Sequence, residues 1–272
     1  MRVKEASGGN TLKGMVVLVT RPEQKMQPLC DAIEAHGGKA IKFPLLQISA
    51  VTQPDDTQLL RDRIQDLDRY DILIFISSNA AVHGAELINS YWSQFPIGLK
   101  VIAIGPSTAQ TVSSLLGCEV IYSERGMTSE DVLKLPDLVD VDGKRIAIFR
   151  GKGGRELLAS TLLLRNASID YFEVYYRSAV QYAEDTLGKI LSSTHFNAVI
   201  VTSGESLAGL LSLAGDNKQQ LRLIPLIVPS ARISEQAQAA GFATVFNANG
   251  ADETSLLATL QDLAAGADKS IN

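Results

Sequence analysis

Val16-Val17-Leu18-Val19-Thr20-Arg21-Pro22 is a short apolar run that ends in a polar turn. The chain returns to it as Ile146-Ala147-Ile148-Phe149-Arg150-Gly151, with Arg21 and Arg150 separated by 150 − 21 = 129 residues. Three further blocks recur in the same order. Ile74-Phe75-Ile76-Ser77-Ser78-Asn79 returns as Ile200-Val201-Thr202-Ser203-Gly204, an offset of 203 − 78 = 125. Ile102-Ala103-Ile104-Gly105-Pro106-Ser107 returns as Leu226-Ile227-Val228-Pro229-Ser230, at 229 − 106 = 123. Gly126-Met127-Thr128-Ser129-Glu130 pairs with Gly250-Ala251-Asp252-Glu253-Thr254, at 250 − 126 = 124. Solenoid repeats have periods of about 20–50 residues, so this longer period marks a duplicated domain. Two similar α/β lobes are expected, with the polar strand ends lining a cleft between them.

Each block is a strand, a turn and the start of a helix. Val16–Thr20 is apolar throughout, as a strand covered on both faces requires. Pro22 suits a first helical turn, and Gly37-Gly38 ends the helix. Ile72–Ile76, Val101–Ile104, Ile146–Phe149, Ala198–Val201 and Leu223–Val228 repeat the pattern. Strands alternating with helices of about 10–15 residues indicate βαβ crossovers and parallel sheets. Thr128 with Asp131 reads as a helix N-cap pairing.

Two segments break the pattern at matched places. Lys39–Ser49 and Ser168–Val180 both read as strands, with Phe43 lying 22 residues after Arg21 and Phe172 lying 22 after Arg150. Pro44 fits an edge strand or a bend rather than a sheet centre. If the chain crosses between lobes at both segments, one lobe is discontinuous, 13–42 with 181–266, and the other is 51–168. Residues 43–50 and 169–180 then form the linker strands, and 1–12 and 267–272 are loose tails. A plain tandem split near Gly143 satisfies the periodicity equally well.

Composition bounds the function. A chain of 272 residues suits two domains that each bury a core. Its net charge of −5 argues against broad nucleic-acid binding, which needs clustered Lys and Arg. No apolar run approaches the ~18 residues of a membrane helix, and Met1 to Gly14 lacks the apolar core of a signal peptide. Cys30 and Cys118 are the only cysteines and lie in unrelated contexts, which points to a reducing compartment, the cytoplasm. A monomer is expected, because no third apolar surface stands out.

Ligands of open parallel sheets bind beyond the carboxyl ends of the strands. Here those ends carry Thr20-Arg21, Ser77-Ser78-Asn79, Gly105-Pro106-Ser107-Thr108, Arg150-Gly151-Lys152-Gly153, Thr202-Ser203-Gly204 and Pro229-Ser230. Each precedes a helix, so unpaired N–H groups and the positive end of the helix dipole face a ligand there. The pattern suits carboxylates or phosphates. Arg21, Lys25, Arg150, Lys152, Arg155 and Arg232 add formal charge. Ser, Thr and Gly also cap helices in most proteins, and the binding reading rests on their recurrence at six equivalent places.

The familiar catalytic motifs are missing. No Gly-Lys pair is followed by Ser or Thr, so there is no phosphate-binding P-loop. Gly151-Lys152-Gly153-Gly154-Arg155-Glu156 lacks the last glycine of a dinucleotide turn. Gly105-Pro106-Ser107-Thr108-Ala109 lacks the second glycine of a nucleophile elbow. His36, His83 and His195 are isolated, and no metal-ligand cluster appears. Chemistry without a metal, cofactor or covalent nucleophile is expected, which leaves hydroxyls. Tyr171, Tyr175 and Tyr176 lie in the second linker, where a phenol can donate a proton to a leaving oxygen, although aromatics on strands commonly serve packing.

Arg21-Pro22, Phe43-Pro44-Leu45, Ile76-Ser77-Ser78-Asn79-Ala80-Ala81-Val82, Ala103-Ile104-Gly105-Pro106-Ser107-Thr108-Ala109 and Val174-Tyr175-Tyr176-Arg177, in this order, resemble the uroporphyrinogen-III synthase family. The likeness spans roughly Lys13 to Gly266. It implies two flavodoxin-like parallel-sheet lobes joined by a two-stranded β linker, with the active site in the cleft, and so favours the discontinuous partition. It also implies a cofactor-free cytoplasmic enzyme of tetrapyrrole (haem, sirohaem, cobalamin) synthesis. The implied substrate is hydroxymethylbilane, whose terminal hydroxyl is expelled as water. Ring D is then inverted through a spirocyclic intermediate, and the macrocycle closes as uroporphyrinogen III.

Carried over by match, Tyr175 takes the place of the family's linker tyrosine and assists departure of the hydroxyl. Thr108, Ser78, Ser203 and Ser230 match hydroxyl or turn positions facing the cleft. With Thr20, Arg21, Asn79, Gly105, Ser107, Arg150, Gly151, Lys152, Gly204 and Arg232 they make up the expected substrate-binding set. Val228-Pro229-Ser230-Ala231-Arg232 departs from the pattern that Gly105 and Thr108 keep, and Arg232 stands in as the carboxylate contact. The partners implied are the bilane itself and a transient contact with the enzyme that supplies it. No nucleic acid or membrane is implied. Two rivals remain at this stage: a non-catalytic two-lobed protein that binds or senses small anions, and a doubly wound enzyme that uses a nucleotide.

Overall fold

A computed structural model describes residues 10–124, 126, 128–154 and 156–268. The chain divides into two compact units. Unit 1 is built from the chain up to Gln47 together with the chain from Ser178 onward, and unit 2 is Ile48–Arg177.

The first elements are β1 (Val16–Val19), α1 (Glu23–Ala35) and β2 (Lys39–Lys42), followed by β3 (Leu46–Ala50), which spans the first unit boundary. Unit 2 continues with α2 (Pro54–Gln65), β4 (Ile72–Phe75), α3 (Ser78–Tyr91), β5 (Lys100–Ala103), α4 (Pro106–Leu116) and β6 (Ile121–Tyr122). After the short helices α5 (Ser129–Val132) and α6 (Pro136–Val139) come β7 (Arg145–Gly151), α7 (Leu157–Leu164) and β8 (Ser168–Ala179). Unit 1 then resumes with α8 (Thr186–Ser193), β9 (Ala198–Ile200), α9 (Gly204–Leu213), α10 (Lys218–Leu223) and β10 (Leu226–Val228). It ends with α11 (Ala231–Ala239), β11 (Val245–Asn247) and α12 (Glu253–Asp268).

The sheet of unit 1 runs β11-β10-β9-β1-β2, with every neighbouring pair parallel. Numbered along the chain this is the order 2-1-3-4-5, the flavodoxin-like doubly wound arrangement. The other sheet runs β3-β8-β7-β4-β5-β6, and from β8 to β6 its neighbours are also parallel. If β7 and β8 are taken as strands 1 and 2, the same 2-1-3-4-5 order appears. The register agrees with the repeat: Val16 pairs with Lys39 as Arg145 pairs with Ser168, both shifted by 129 residues. Each unit therefore joins the first two strands of one repeat to the last three of the other.

Cores form on both faces of each sheet, as the apolar strands require. In unit 1, Leu18, Val199 and Val228 face Leu207, Leu210 and Ile233, while Val17, Val19 and Ile200 face Met26, Ile33 and Leu260. In unit 2, Phe75, Phe149 and Phe172 stack in series with centroids 4.5 Å apart at each step. Gly84 of α3 lies over this stack, because a Cβ there would come within 2.8 Å of both Phe75 and Phe149.

Three expectations need correction. The N-terminal tail does not extend to residue 12: Leu12 is fully buried with Met15 and Ile33, and Thr11 accepts a hydrogen bond from Gln261. At the other end α12 continues to Asp268, while residues 1–9 and 269–272 lie outside the described residues. The strand expected over Leu223–Val228 begins only at Leu226, because Pro225 holds Ile224 extended and α10 runs to Leu223. The first linker segment is divided. β2 stops at Lys42, and Phe43 and Leu45 still donate N–H groups to Val19 and Thr20 on either side of Pro44, which has none.

Candidate active site

In unit 2 the carboxyl ends of β4 and β5 open into two adjacent helix starts. Ser77 caps α3, its Oγ accepting the Ala80 N–H at 3.0 Å. Gly105 takes the same place before α4, with Pro106 in the first turn. Ser78 Oγ and Ser107 Oγ lie 3.4 Å apart, so the two first turns present a pair of hydroxyls. Ser78 and Asn79 are half-buried and Ser107 is exposed. First-turn N–H groups have no intrahelical acceptor, and with the aligned dipoles they form a receptor for anions. Thr108, the next residue, is buried.

At the end of β7, Arg150 is 2% exposed. Its guanidinium donates to Glu156 at 3.0 Å and to the Gly153 carbonyl, and lies over the Tyr171 ring at 4.6 Å. It ties down its own glycine loop and also lines a cavity beside that loop. Lys152 Nζ is 2.5 Å from Asp56 of α2, which also accepts the Tyr176 hydroxyl. These two hydrogen bonds, with the Lys152 bond the stronger influence, hold the Asp56 carboxyl below its usual range. Lys152 is consequently a partly neutralised cation.

Gly151 is a glycine for a reason of space. A Cβ there would sit 2.6 Å from two carbons of the Tyr175 ring. The ring fills that place, and Tyr175 is only 3% exposed. The Lys152 N–H donates to the Tyr175 carbonyl at 2.9 Å, while the Tyr175 hydroxyl lies 3.2 Å from Ser77 Oγ. Gly151 also lines that cavity, of about 360 Å³, with Ile76, Ile104, Arg150, Tyr171 and Arg177 among its other lining residues.

The strand ends of unit 1 differ in detail. Thr20 is fully buried and donates its hydroxyl to the Ile200 carbonyl at 2.7 Å, so it serves the sheet. Arg21 is half-buried, and desolvation lowers its pKa against the opposing pull of Asp252 and Glu253. Desolvation, followed by the neighbouring Arg21, lowers Lys25 as well. Ser203 caps α9 through Ser206 N–H at 3.0 Å, and its Oγ lies 2.9 Å from Ser206 Oγ. Gly204 follows, with Gln236 Oε1 where a Cβ would otherwise be crowded at 2.7 Å. Ser230 caps α11 without a side-chain bond, and Arg232 is exposed in the first turn that follows.

The uroporphyrinogen-III synthase HemD family model matches residues 27–258. A protein of Escherichia coli named uroporphyrinogen-III synthase is 32% identical over 249 residues, covering 91% of this chain and 100% of that one. The chain belongs to the uroporphyrinogen-III synthase family. The family is one of enzymes of tetrapyrrole biosynthesis, which decides against the non-catalytic binding protein. A Salmonella typhimurium uroporphyrinogen-III synthase is 31% identical over the same length, with the same coverage of both chains. Among solved structures, a mutant uroporphyrinogen III synthase of Thermus thermophilus superposes with a TM-score of 0.63 at 13% identity, covering 95% of this chain and 99% of that one. The Helicobacter pylori protein gives 0.54 at 12%, covering 95% and 100%. At such identities the likeness is one of fold.

Within unit 2 the fold thus gathers Tyr175, Gly151, Ser78, Asn79, Gly105 and Ser107 at the carboxyl end of the sheet. Unit 1 gathers Arg21, Ser203, Gly204, Ser230 and Arg232 at its own. Thr20, Thr108 and Arg150 are buried, and Arg150 also lines the cavity beside Gly151. Arg155 lies outside the described residues. The sequence placed Ser77 at a strand end but not in the expected binding set, and it missed Asp56. The N-cap spacing Ser77-x-x-Ala80 carried a signal for Ser77; Asp56 reaches Lys152 across 96 residues, which no local pattern reports. Among the described residues no group of His, Cys, Asp or Glu could hold a metal ion, and no helix is long and apolar enough to cross a membrane.

Proposed function

We propose that this protein converts hydroxymethylbilane to uroporphyrinogen III. The C–O bond of the terminal hydroxymethyl group breaks with a proton from Tyr175, and the oxygen leaves as water. The resulting azafulvene is attacked by the substituted carbon of ring D, giving a spirocyclic intermediate. The original bond from that carbon to the bridge from ring C then breaks, leaving an azafulvene on ring C. The bridge rebonds at the other α-carbon of ring D and so inverts the ring, and the proton lost from that carbon in restoring the pyrrole returns to Tyr175. The balance is one bilane to one macrocycle and one water.

The observation that carries this reading is the setting of Tyr175 in a chain of this family. A phenol wedged against Gly151, with its oxygen beside Ser77 and the first turn of α3, is a fixed donor next to an anion-binding surface. Expulsion of hydroxide from an electron-rich pyrrole needs only a modest acid, so a phenol suffices. Steering which carbon attacks is a matter of positioning. The N–H groups and hydroxyls of Ser78, Asn79 and Ser107 in unit 2, and Arg21, Ser203 and Arg232 in unit 1, suit the acetate and propionate groups of such a substrate. We place the enzyme in the cytoplasm as a monomer that meets the bilane-supplying enzyme only transiently; both cysteines are free.

The test is a product-isomer assay. Hydroxymethylbilane is generated in situ, the protein is added, and the oxidised products are separated into uroporphyrins I and III. The bilane closes unaided to isomer I, so isomer III is the expected result, and isomer I alone from folded protein would refute the proposal. Tyr175→Phe is expected to lower turnover more than about tenfold with little change in KM, as loss of a transition-state interaction does. Undiminished turnover would remove Tyr175 from the mechanism.

A further inference from the structure

We infer that Ser77 is the positioning residue for the Tyr175 proton, an inference that rests on the reading of Tyr175 as the group assisting departure of the hydroxyl. Ser77 Oγ accepts the Ala80 N–H at 3.0 Å and lies 3.2 Å from the Tyr175 oxygen. A serine hydroxyl has one proton and two lone pairs. The helix uses one lone pair, which leaves a single acceptor site and the proton itself for Tyr175. Without substrate either oxygen can be the donor. Once a leaving hydroxyl takes the Tyr175 proton, Ser77 turns its own proton to the phenol oxygen and stabilises the negative charge developing there.

Three contacts fix where that oxygen sits. Gly151 admits the ring, the Lys152 N–H holds the Tyr175 carbonyl at 2.9 Å, and Ser77 meets the hydroxyl. The matched cap in unit 1 shows that the arrangement in unit 2 is not a general consequence of capping. Ser203 caps α9 with the same extended backbone, φ −155° against −166° for Ser77. Its spare hydrogen-bonding capacity goes to Ser206 Oγ at 2.9 Å, within its own helix turn. The residue in the place of Ser206 in unit 2 is Ala80, which is buried and has no hydroxyl. The Ser77 hydroxyl therefore meets no side-chain rival of that kind for Tyr175.

The experiment measures kcat and KM for isomer III formation in Ser77→Ala, Ser77→Thr, Tyr175→Phe and the Ser77→Ala/Tyr175→Phe double variant. It is paired with the ¹³Cζ resonance of Tyr175 in protein labelled at tyrosine. Ser77→Ala is expected to lower kcat about fivefold with KM unchanged, the worth of one hydrogen bond. Ser77→Thr keeps both cap and donor and is expected to restore kcat to within about twofold. In the Tyr175→Phe background Ser77→Ala should cost nothing further, because its partner is gone. The Tyr175 resonance should move in Ser77→Ala and return in Ser77→Thr. An equal kcat loss in both backgrounds, or an unmoved resonance, with Tyr175→Phe still impaired, would overturn the inference alone and reduce Ser77 to a helix cap. Full turnover in Tyr175→Phe would overturn the Tyr175 reading and this inference with it.

Discussion

After β1 the chain of unit 1 reads Thr20-Arg21-Pro22, and at the end of β7 that of unit 2 reads Arg150-Gly151-Lys152, with Arg21 matching Arg150 and Pro22 matching Gly151. The strand order around the two turns is the same, but the turns do different things. Gly151 leaves room for a phenol ring and keeps its N–H. Pro22, in the matched place, has no N–H and carries a ring of its own. Beyond the turn, β8 runs on through Tyr175 to Ala179, whereas β2 stops at Lys42. There Phe43 stacks on Tyr182 with centroids 4.2 Å apart, and the Tyr182 hydroxyl donates to the Pro44 carbonyl at 2.9 Å. Duplication supplied two copies of one scaffold, and the copies differ both in the turn residue, glycine against proline, and in how far the following strand runs.

Substitution at this matched pair gives the largest contrast. Gly151→Ala places a Cβ about 2.6 Å from the Tyr175 ring, which is closed in by Ser77 beyond. The ring must move, so overpacking is expected to cost ~1–3 kcal/mol and turnover to fall more than tenfold. Pro22→Ala in unit 1 meets no such ring. It should cost at most ~1 kcal/mol, through the unfolded chain. Denaturant melts and isomer assays of both variants check this, and full activity in Gly151→Ala would break the contrast.

The matched arginines sharpen it next. Arg150 is buried, and its fork serves Glu156 and the Gly153 carbonyl at once while stacking on Tyr171. Arg150→Lys keeps the charge but cannot serve these partners together, and it should destabilise unit 2 by ~2–4 kcal/mol. Arg21 is half-buried and faces Asp252 and Glu253 only as neighbouring charges, so Arg21→Lys should change stability by less than ~0.5 kcal/mol. Equal melting shifts for the two variants would show that the two turns are packed alike.

Much of this fold was legible in the sequence because duplication wrote it twice. The apolar runs, the turns and the helix starts located the strands and, through the order of the repeats, the parallel sheets. What stayed hidden follows from the shortness of those runs. A three- or four-residue strand buried on both faces has no alternation to fix its register, so a slip of one residue leaves no trace. The repeat matched Ser203 to Ser78 and Pro229 to Pro106. Cap geometry instead matches Ser203 to Ser77 and Ser230 to Gly105. That shift sets Ile233 opposite Thr108, and both are buried in the third position of their helices, which explains why Thr108 does not face outward. Likewise, Arg21 and Arg150 look alike as letters, and only the Glu156 and Tyr171 beside one of them make it structural. The partnership of β1–β2 with β9–β11 rather than with β4–β6 was open as well, since an apolar parallel strand does not specify its neighbour.

The smallest expected effect is an alkaline one, and it separates burial from charge. The Tyr171 hydroxyl donates to Glu156, and its pKa is pushed up to about 12, first by burial and then by the Glu156 carboxylate. In unit 1 Tyr182 is raised by burial alone, because its hydroxyl meets the uncharged Pro44 carbonyl. A phenol whose folded pKa lies above its unfolded value stabilises the protein fully below about pH 10, and that stability is lost as the pH rises through about 12. Glu156→Gln removes the charge and leaves one amide oxygen where two carboxylate oxygens had served Arg150 and Tyr171. Tyrosinate absorbance should then show Tyr171 ionising earlier but still above about pH 10, with the alkaline loss of stability still beginning near about pH 10 but smaller and complete at a lower pH, and Tyr182 unmoved. If Tyr171 kept its titration in Glu156→Gln, burial alone would raise it, and the tyrosines of the two units would be raised by the same physics.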